Sequence, residues 1–268
     1  MTAPVKPVTL STFSDMRQRG EKIAAITAYD AGFARLADEA GVDIVLVGDS
    51  LGMVVQGHAS TLPVKLSEMS YHTRSASRGV ARAFIIGDMP FASFQQSPQQ
   101  AFASAARLMA AGAHMVKLEG GAVMVKTVEF LVQRGIPVCA HLGLLPQSVN
   151  QLGGYRVQGR GESGAAQLLA DARAMEKAGA GLLVLESIPA QLGKHVTLSI
   201  SIPTIGIGAG PDCSGQVLVL HDVLGVYPHP PKFSRNFMAD TGSIQAALKA
   251  FVDAVKTGTF PGPEHCFQ

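Results

Sequence analysis

Tryptophan is absent from this chain of 268 residues, and that absence excludes nothing by itself. Other scarcities say more. There are three cysteines, Cys139, Cys213 and Cys266, with no CxxC pair and no metal-ligand spacing. This excludes a disulfide framework and a thiolate metal site, and it fits reduced thiols in a cytoplasmic protein. Charge is sparse: Asp, Glu, Lys and Arg make up 16% of the chain, the formal net charge is +2, and no basic block occurs. Neither nucleic acid nor an anionic membrane surface is implied as a partner. So lean a charged surface also points to buried subunit contacts. No charge-free run is long enough to span a bilayer, and the opening MTAPVKPVTL has no apolar signal core, so the expected location is cytoplasmic.

What is present is apolar material, 47% of the residues, enough for a sizeable core. It falls into short β-like runs separated by helical ones. The expected strands are Ile23–Thr27, Asp43–Val47, Ala83–Gly87, Met115–Leu118, Pro137–His141, Leu182–Glu186, Pro203–Ile207 and Gln216–Leu220. They are rich in Val, Ile and Leu without polar alternation, as strands buried on both faces should be. Helices are expected over Ala31–Ala40, Ser67–Arg78, Gln99–Ala111, Ala122–Arg134, Gly164–Ala178 and Ser243–Lys256. Ser97-Pro98 opens the third of these as N-cap and first-turn proline, and Gly135 and Gly179 close two others. Eight strands with intervening helices and no break in composition predict a (β/α)8 TIM barrel as a single domain over residues 1–268. A short leading helix, Ser11–Arg19, is expected to close its bottom. An open doubly wound sheet is the alternative. One connection, Leu142–Glu162, is unusually long and follows a strand; its Gly-rich second half reads as a mobile lid over the active face.

Four of the apolar runs end in an acid: LVGDS (Leu46–Ser50), FIIGDMP (Phe84–Pro90), VKLEGG (Val116–Gly121) and LVLES (Leu183–Ser187). An acid at the end of a buried strand is costly unless its charge is used. In a parallel barrel the C-terminal strand ends converge on the catalytic face, so Asp49, Asp88, Glu119 and Glu186 are the first candidates for chemistry. Lys117 lies two residues before Glu119 on one strand and shares its direction. Asp49, Asp88 and Glu119 end consecutive strands about 4.8 Å apart, where they repel one another unless a cation is present. Hard oxygen ligands without Cys or several His favour Mg²⁺ over zinc. Glu186, two strands further on, is free to act as a base, and His141 between them can bind a substrate oxygen or orient a ligand. A metal with open positions, a nearby Lys and a separate carboxylate suit enolisation of a 2-oxo acid.

Plainer readings compete. A single acid at a strand end is equally well an N-cap of the following helix, but four together are not. Lys117 could simply pair with Glu119, and His141 could be a hydrogen-bonded core histidine. A Schiff-base role for Lys117 needs a depressed pKa, which Glu119 alongside opposes. His58, His72, His114, His195, His221, His229 and His265 lack a partner pattern and read as surface or packing residues. GIGAG (Gly206–Gly210) is either a phosphate-cradling turn or a close-packed backbone turn.

The segments TAYD (Thr27–Asp30), VGDSLGMVVQGH (Val47–His58), TLPV (Thr61–Val64), YHT (Tyr71–Thr73), DMPF (Asp88–Phe91), VKLEGG, HLGLLPQSVNQLGGYRVQGRG, IGIGAG and PKF (Pro231–Phe233) resemble the ketopantoate hydroxymethyltransferase family, from about Ile23 to the C-terminus. The resemblance implies a barrel of the phosphoenolpyruvate/pyruvate type. It implies transfer of a hydroxymethyl group from 5,10-methylenetetrahydrofolate to 3-methyl-2-oxobutanoate, giving 2-dehydropantoate on the way to pantothenate and coenzyme A. By the family pattern Asp49, Asp88 and Glu119 carry Mg²⁺, Asp49, Ser50, Asp88 and Lys117 contact the oxo acid, and Glu186 is the proton acceptor. Homodecamers are the implied assembly. The alternative activity is a folate-independent, Mg²⁺-dependent lyase or aldolase acting on 2-oxo acids. The stretch YPHP (Tyr227–Pro230) departs from the family pattern and is expected to alter the rim. No local motif marks the folate-binding residues.

Overall fold

The computed structural model describes residues 6–268. Met1–Val5, which open the stretch read as lacking a signal core, lie outside the described residues. Eight strands appear: β1 Ile23–Thr27, β2 Ile44–Val47, β3 Phe84–Asp88, β4 Met115–Glu119, β5 Val138–Gly143, β6 Leu182–Glu186, β7 Thr204–Ile207 and β8 Gly215–Leu218. Each pairs in parallel with the next, and β8 returns to β1 in the register Ile23↔Gly215 to Ile26↔Leu218. That closure replaces the open doubly wound alternative with a barrel.

Alternation along the strands divides the core in two. Ile23 and Ala25, Phe84 and Ile86, Met115, Cys139, and Leu182 and Val184 point into the barrel. Ala24 and Ile26, Ile85, Val116 and Leu118, and Leu183 and Leu185 point outward, against the helices. Fully burying side chains of this size contributes about 1.5–3 kcal/mol each. The leading helix, Leu10–Gln18, plugs the N-terminal end of the barrel: Phe13 is fully buried and meets Phe84 edge-on at 5.3 Å between ring centroids. Arg17 on the same helix donates to the carbonyls of Thr197, Ile200 and Ile202, which tail helix Ala190–Ser199.

The inward parity has a consequence for the other end. Continuing each inward row by one step, or two on β4, gives Thr27 after Ala25, Asp88 after Ile86, Lys117 and Glu119 after Met115, His141 after Cys139, and Glu186 after Val184. The bottom of the barrel is therefore greasy and its top layer polar.

The outer helices are capped by side chains, Ser97 as expected and Asp30 and Ser243 in addition. Asp30 accepts from the Phe33 amide, Ser97 from Gln100 and Ser243 from Ala246. Several details differ from the sequence expectation. The segment expected as one helix over Ala122–Arg134 is a 3₁₀ turn, Ala122–Met124, followed by helix Val125–Val132. Helix Gly161–Lys177 begins three residues earlier than expected, and β8 stops at Leu218 because Leu220–Val223 forms a helical turn. The long connection is not structureless. It holds a 3₁₀ turn, Pro146–Ser148, whose Gln147 is buried, and a helical turn, Val149–Leu152. Among the described residues no helix is long and apolar enough to cross a membrane.

Candidate active site

A cavity of about 650 Å³ opens at the C-terminal ends of the strands, and every strand contributes to its wall. Asp49, Asp88, Lys117, Glu119 and His141 are all buried there, and Glu186 is the most accessible of the acids, its side chain 15% exposed.

Lys117 Nζ donates to both oxygens of Asp88 at 2.8 Å and lies 3.9 Å from Glu119 Oε1. Its main partner is thus Asp88 on the neighbouring strand, not Glu119 on its own. The Asp49 amide donates to Asp88 Oδ2 at 3.3 Å. Gln147, from the long connection, grips two of the acids: its side-chain amide donates to Asp49 Oδ2 at 2.8 Å and its backbone amide to Glu119 Oε2 at 3.0 Å. The other Glu119 oxygen, Oε1, is buried with no hydrogen bond among the described residues. His141 joins the two sides of the site, with Nδ1 3.6 Å from Glu119 Oε1 and Nε2 3.2 Å from Glu186 Oε2. Neither contact is aligned as a hydrogen bond, so both ring nitrogens also stand without a partner.

The electrostatics follow from this crowding. Burial, and then the charge of Asp88, push Asp49 well above the carboxylate range against the pull of Lys117. Burial also raises Asp88, with Lys117 opposing and Glu119 adding to the rise. Lys117 is disfavoured as a cation by burial, but Asp88, Glu119 and Asp49 outweigh that and hold its proton more firmly than usual. A firmly protonated amine is a poor Schiff-base nucleophile, so the geometry argues against that reading. Burial and Lys117 both lower His141, yet contacts with Glu119 and Glu186 lift it to about 9. Cys139, on the rung below, is pushed up to about 12 by burial and remains a thiol.

Glu186 is held by its backbone. Its carbonyl accepts from the Leu144 amide at 2.8 Å, and the next residue, Ser187, sits in the left-handed region at φ +48° with its amide on Ile207. A non-glycine residue there stores local strain. Gly143, at φ +94°, lies against the same carbonyl: a Cβ added to it would come within 2.2 Å of the Glu186 oxygen. Ser50 shares a 2.9 Å hydroxyl contact with Tyr29 at the start of helix Leu51–Val54.

The structure thus brings together every sequence-expected site residue. It also settles the GIGAG turn as close-packed. Gly208, at φ +65°, lies flat under Phe233 and Phe267, whose ring atoms a Cβ would meet at 3.0 Å. Some residues of the site were not expected. Gln147 carried no signal beyond its place in the long connection. Tyr155, Asp222 and Tyr227 line the cavity, as do His58 and His229, which the sequence suggested were surface or packing groups. Tyr227 and His229 belong to the YPHP stretch, which does shape the rim.

Four carboxylates here face two cationic side chains, Lys117 and His141, and one carboxylate oxygen has no donor. Among the described residues no three His, Cys, Asp or Glu side chains converge closely enough to hold a metal ion between them, and both Asp88 oxygens are engaged by Lys117.

Comparison with known proteins identifies the family. Residues 7–263 match the model of the family described as ketopantoate hydroxymethyltransferase. The chain is 70% identical over 261 residues to a 3-methyl-2-oxobutanoate hydroxymethyltransferase of Thiobacillus denitrificans, covering 97% of this chain and 100% of the relative. It is 62% identical to one of Azoarcus sp., covering 98% and 97%. Among solved structures it resembles a 2,3-dimethylmalate lyase of the PEP mutase/isocitrate lyase superfamily, with TM-score 0.58, 19% identity and coverage of 78% and 80%. A phosphonopyruvate hydrolase gives TM-score 0.62 at 14% identity, with coverage of 91% and 95%. These structural likenesses show the fold, a TIM barrel. The chain belongs to the ketopantoate hydroxymethyltransferase family and is a transferase.

Proposed function

We propose that this member of the family transfers a hydroxymethyl group from 5,10-methylenetetrahydrofolate to 3-methyl-2-oxobutanoate, giving 2-dehydropantoate. The observation that carries the reading is the division of the site. A buried cluster of Asp49, Asp88, Lys117 and Glu119 stands on one side, and Glu186, open to the cavity, on the other, joined through His141.

The donor chemistry suits a divalent cation held partly through water, since no three of these side chains converge on one point among the described residues. Buried carboxyl groups outnumber the cationic side chains, Glu119 Oε1 accepts no hydrogen bond among the described residues, and the candidate ligand atoms are all hard oxygens. Asp49, Asp88 and Glu119 would hold Mg²⁺, some of them through water, as this ion commonly keeps waters and few direct carboxylates. When bound it supplies positive charge to the carboxylate and keto oxygens of the oxo acid and to the enolate formed from it.

The chain's own groups do the rest. Lys117, held charged by its neighbours, balances the substrate carboxylate, and the Ser50 hydroxyl orients it. Glu186 Oε accepts the proton from C3 of the oxo acid, with His141 Nε2 fixing the position of the carboxylate. Water cleaves the donor's one-carbon unit as formaldehyde while tetrahydrofolate leaves, the C3 carbon of the enolate adds to that carbonyl, and Glu186 returns its proton to the resulting alkoxide. Gln147 keeps Asp49 and Glu119 apart and correctly turned. The homodecamer and the cytoplasmic setting implied by the family resemblance belong to the same proposal, and sedimentation velocity tests the assembly.

Proton NMR of 3-methyl-2-oxobutanoate in D₂O with Mg²⁺ tests the function. Loss of the C3 proton signal, stopped by EDTA, with hydroxymethyl product only when the folate donor is added, is the expected result. Turnover with no donor would make the protein a lyase or aldolase instead. Absence of both exchange and product would overturn the reading.

A further inference from the structure

The catalytic cluster occupies the side of the cavity formed by β2 to β6, and a small branched oxo acid needs little of a space of about 650 Å³, a volume typical of sites for much larger ligands. Much of the remaining wall comes from the segment after β8, together with helix Leu51–Val54 and the long connection. There the helical turn Leu220–Val223 is tied to the top of β1 by the Leu220 amide, which donates to Thr27 Oγ1 at 3.0 Å. Asp222 on this turn lines the cavity and is 7% exposed. Its backbone amide is used, on Val219 O. Its carboxylate has no hydrogen-bond or ion-pair partner among the described residues, and desolvation alone lifts it to about 6. A buried acid with nothing to accept from is a costly feature for a fold to retain. The adjacent His221 has a buried Nδ1 that also lacks a partner.

The surroundings of that carboxylate are flat and aromatic. Tyr227 lines the cavity beside it, stacked on His221 at 6.1 Å and 27°, with its hydroxyl donating to Val54 O at 3.3 Å. Tyr155, from the long connection, reaches the same short helix through Met53 Sδ at 3.6 Å. Both tyrosines therefore lean on helix Leu51–Val54, which starts at Ser50 of the catalytic cluster. Tyr29 links the two regions: it bonds to Ser50, and burial lifts its phenol above the usual value, with smaller additions from Asp222 and Asp49.

A carboxylate offers two parallel acceptors. Its natural complement is a planar group with two parallel N–H donors and an aromatic face, and an anionic group would be repelled. The pterin ring of tetrahydrofolate has both features, in its N3–H and 2-amino edge. We infer that Asp222 and Tyr227 form the pterin subsite, Asp222 accepting from N3–H and the 2-amino group while Tyr227 covers the ring. The inference rests on the proposed function and names where its second substrate binds.

The test is calorimetric titration of the full chain with Mg²⁺ and three probes under anaerobic conditions: tetrahydrofolate, its 2-desamino analogue and 3-methyl-2-oxobutanoate. For Asp222→Asn, tetrahydrofolate affinity is expected to fall about tenfold or more, as for loss of a charge-assisted bidentate contact. The parent's preference for tetrahydrofolate over the desamino analogue should vanish in that variant, a change that general loosening would not produce. Tyr227→Ala should weaken tetrahydrofolate and its analogue alike, and Tyr227→Phe should restore most of the affinity. Oxo-acid affinity should stay within about twofold throughout, which also reports an intact fold. A parent that binds both substrates, alongside an Asp222→Asn variant with unchanged tetrahydrofolate affinity and unchanged discrimination, overturns the subsite alone. A parent that binds the oxo acid and no tetrahydrofolate overturns the folate-dependent reading, and the subsite with it.

Discussion

Strand β2 has an acid just before it and another just beyond it, and the two ends of the barrel treat them in opposite ways. Asp43, at the bottom, accepts from the Ala24 amide at 2.9 Å and pairs with Lys256 and with Arg82, the latter at 3.5 Å. Nearby Asp38 receives the amides of Ala81, Arg82 and Ala83. At the top, Asp49 shares its surroundings with two further buried acids and has one side-chain donor, Gln147. The bottom neutralises its charges within the chain. The top leaves carboxylates raised, nitrogens without partners and a strained Ser187, all around one cavity. Unspent polar groups on one face of an otherwise well-paired barrel mark where ligands supply the missing partners.

The comparison is broken most severely by removing the proposed base. Glu186→Gln should slow C3 exchange by about 10²-fold or more, the usual scale for a general base, while oxo-acid binding persists. Exchange near the parental rate would remove Glu186 from that role. Gly143→Ala comes next. A Cβ at 2.2 Å from the Glu186 carbonyl, at φ +94°, must move that strand end. Exchange should drop markedly, and denaturant melts should show a loss of about 2–3 kcal/mol.

The two acids flanking β2 sharpen the contrast. Asp43→Asn leaves Arg82 and Lys256 without their carboxylate and should cost about 2 kcal/mol of stability, with exchange largely preserved, because those two cations are only partly buried. Asp49→Asn should do the reverse. It should raise the melting temperature of EDTA-treated protein and abolish exchange. Two variants moving stability in the same direction would contradict the contrast.

The smallest effect concerns Asp222. A carboxyl whose folded value is raised to about 6 is stabilising only while protonated, so its contribution is present below the ordinary carboxylate range and is lost as pH rises through about 6. Asp222→Asn should therefore be more stable than the parent at pH 7.5, by of the order of 1–2 kcal/mol, and the gap should close on acidification. Thermal melts across this pH range provide the measurement. A gap that widens at low pH would mean that the carboxylate has a partner.

Much of this was legible beforehand. Runs such as FIIGD and VKLE read as doubly buried strands because nothing polar interrupts them until the last residue, and the two-residue spacing of Lys117 and Glu119 already placed both on one side. Ser97, with Pro98 behind it, announced a helix start through local hydrogen bonding. Gln147 was not legible: a glutamine in a long connection looks the same whether it faces solvent or reaches across to Asp49, 98 positions earlier. Asp222 was hidden for a related reason. It stands on a helical turn beyond β8, off the strand-end pattern that exposed the other acids. The closer contact of Lys117 with Asp88 was not legible either, because Asp88 is next to it only through β3–β4 pairing.

The sequence by itself determined the alternation of elements, the inward parity of the strands and the acids at their ends, since these depend on residue order and local backbone geometry. Only the tertiary structure decided which charges are paired. Closure of the barrel sets distances between residues far apart in the chain, and burial strips away the water that would otherwise have made those distances matter little.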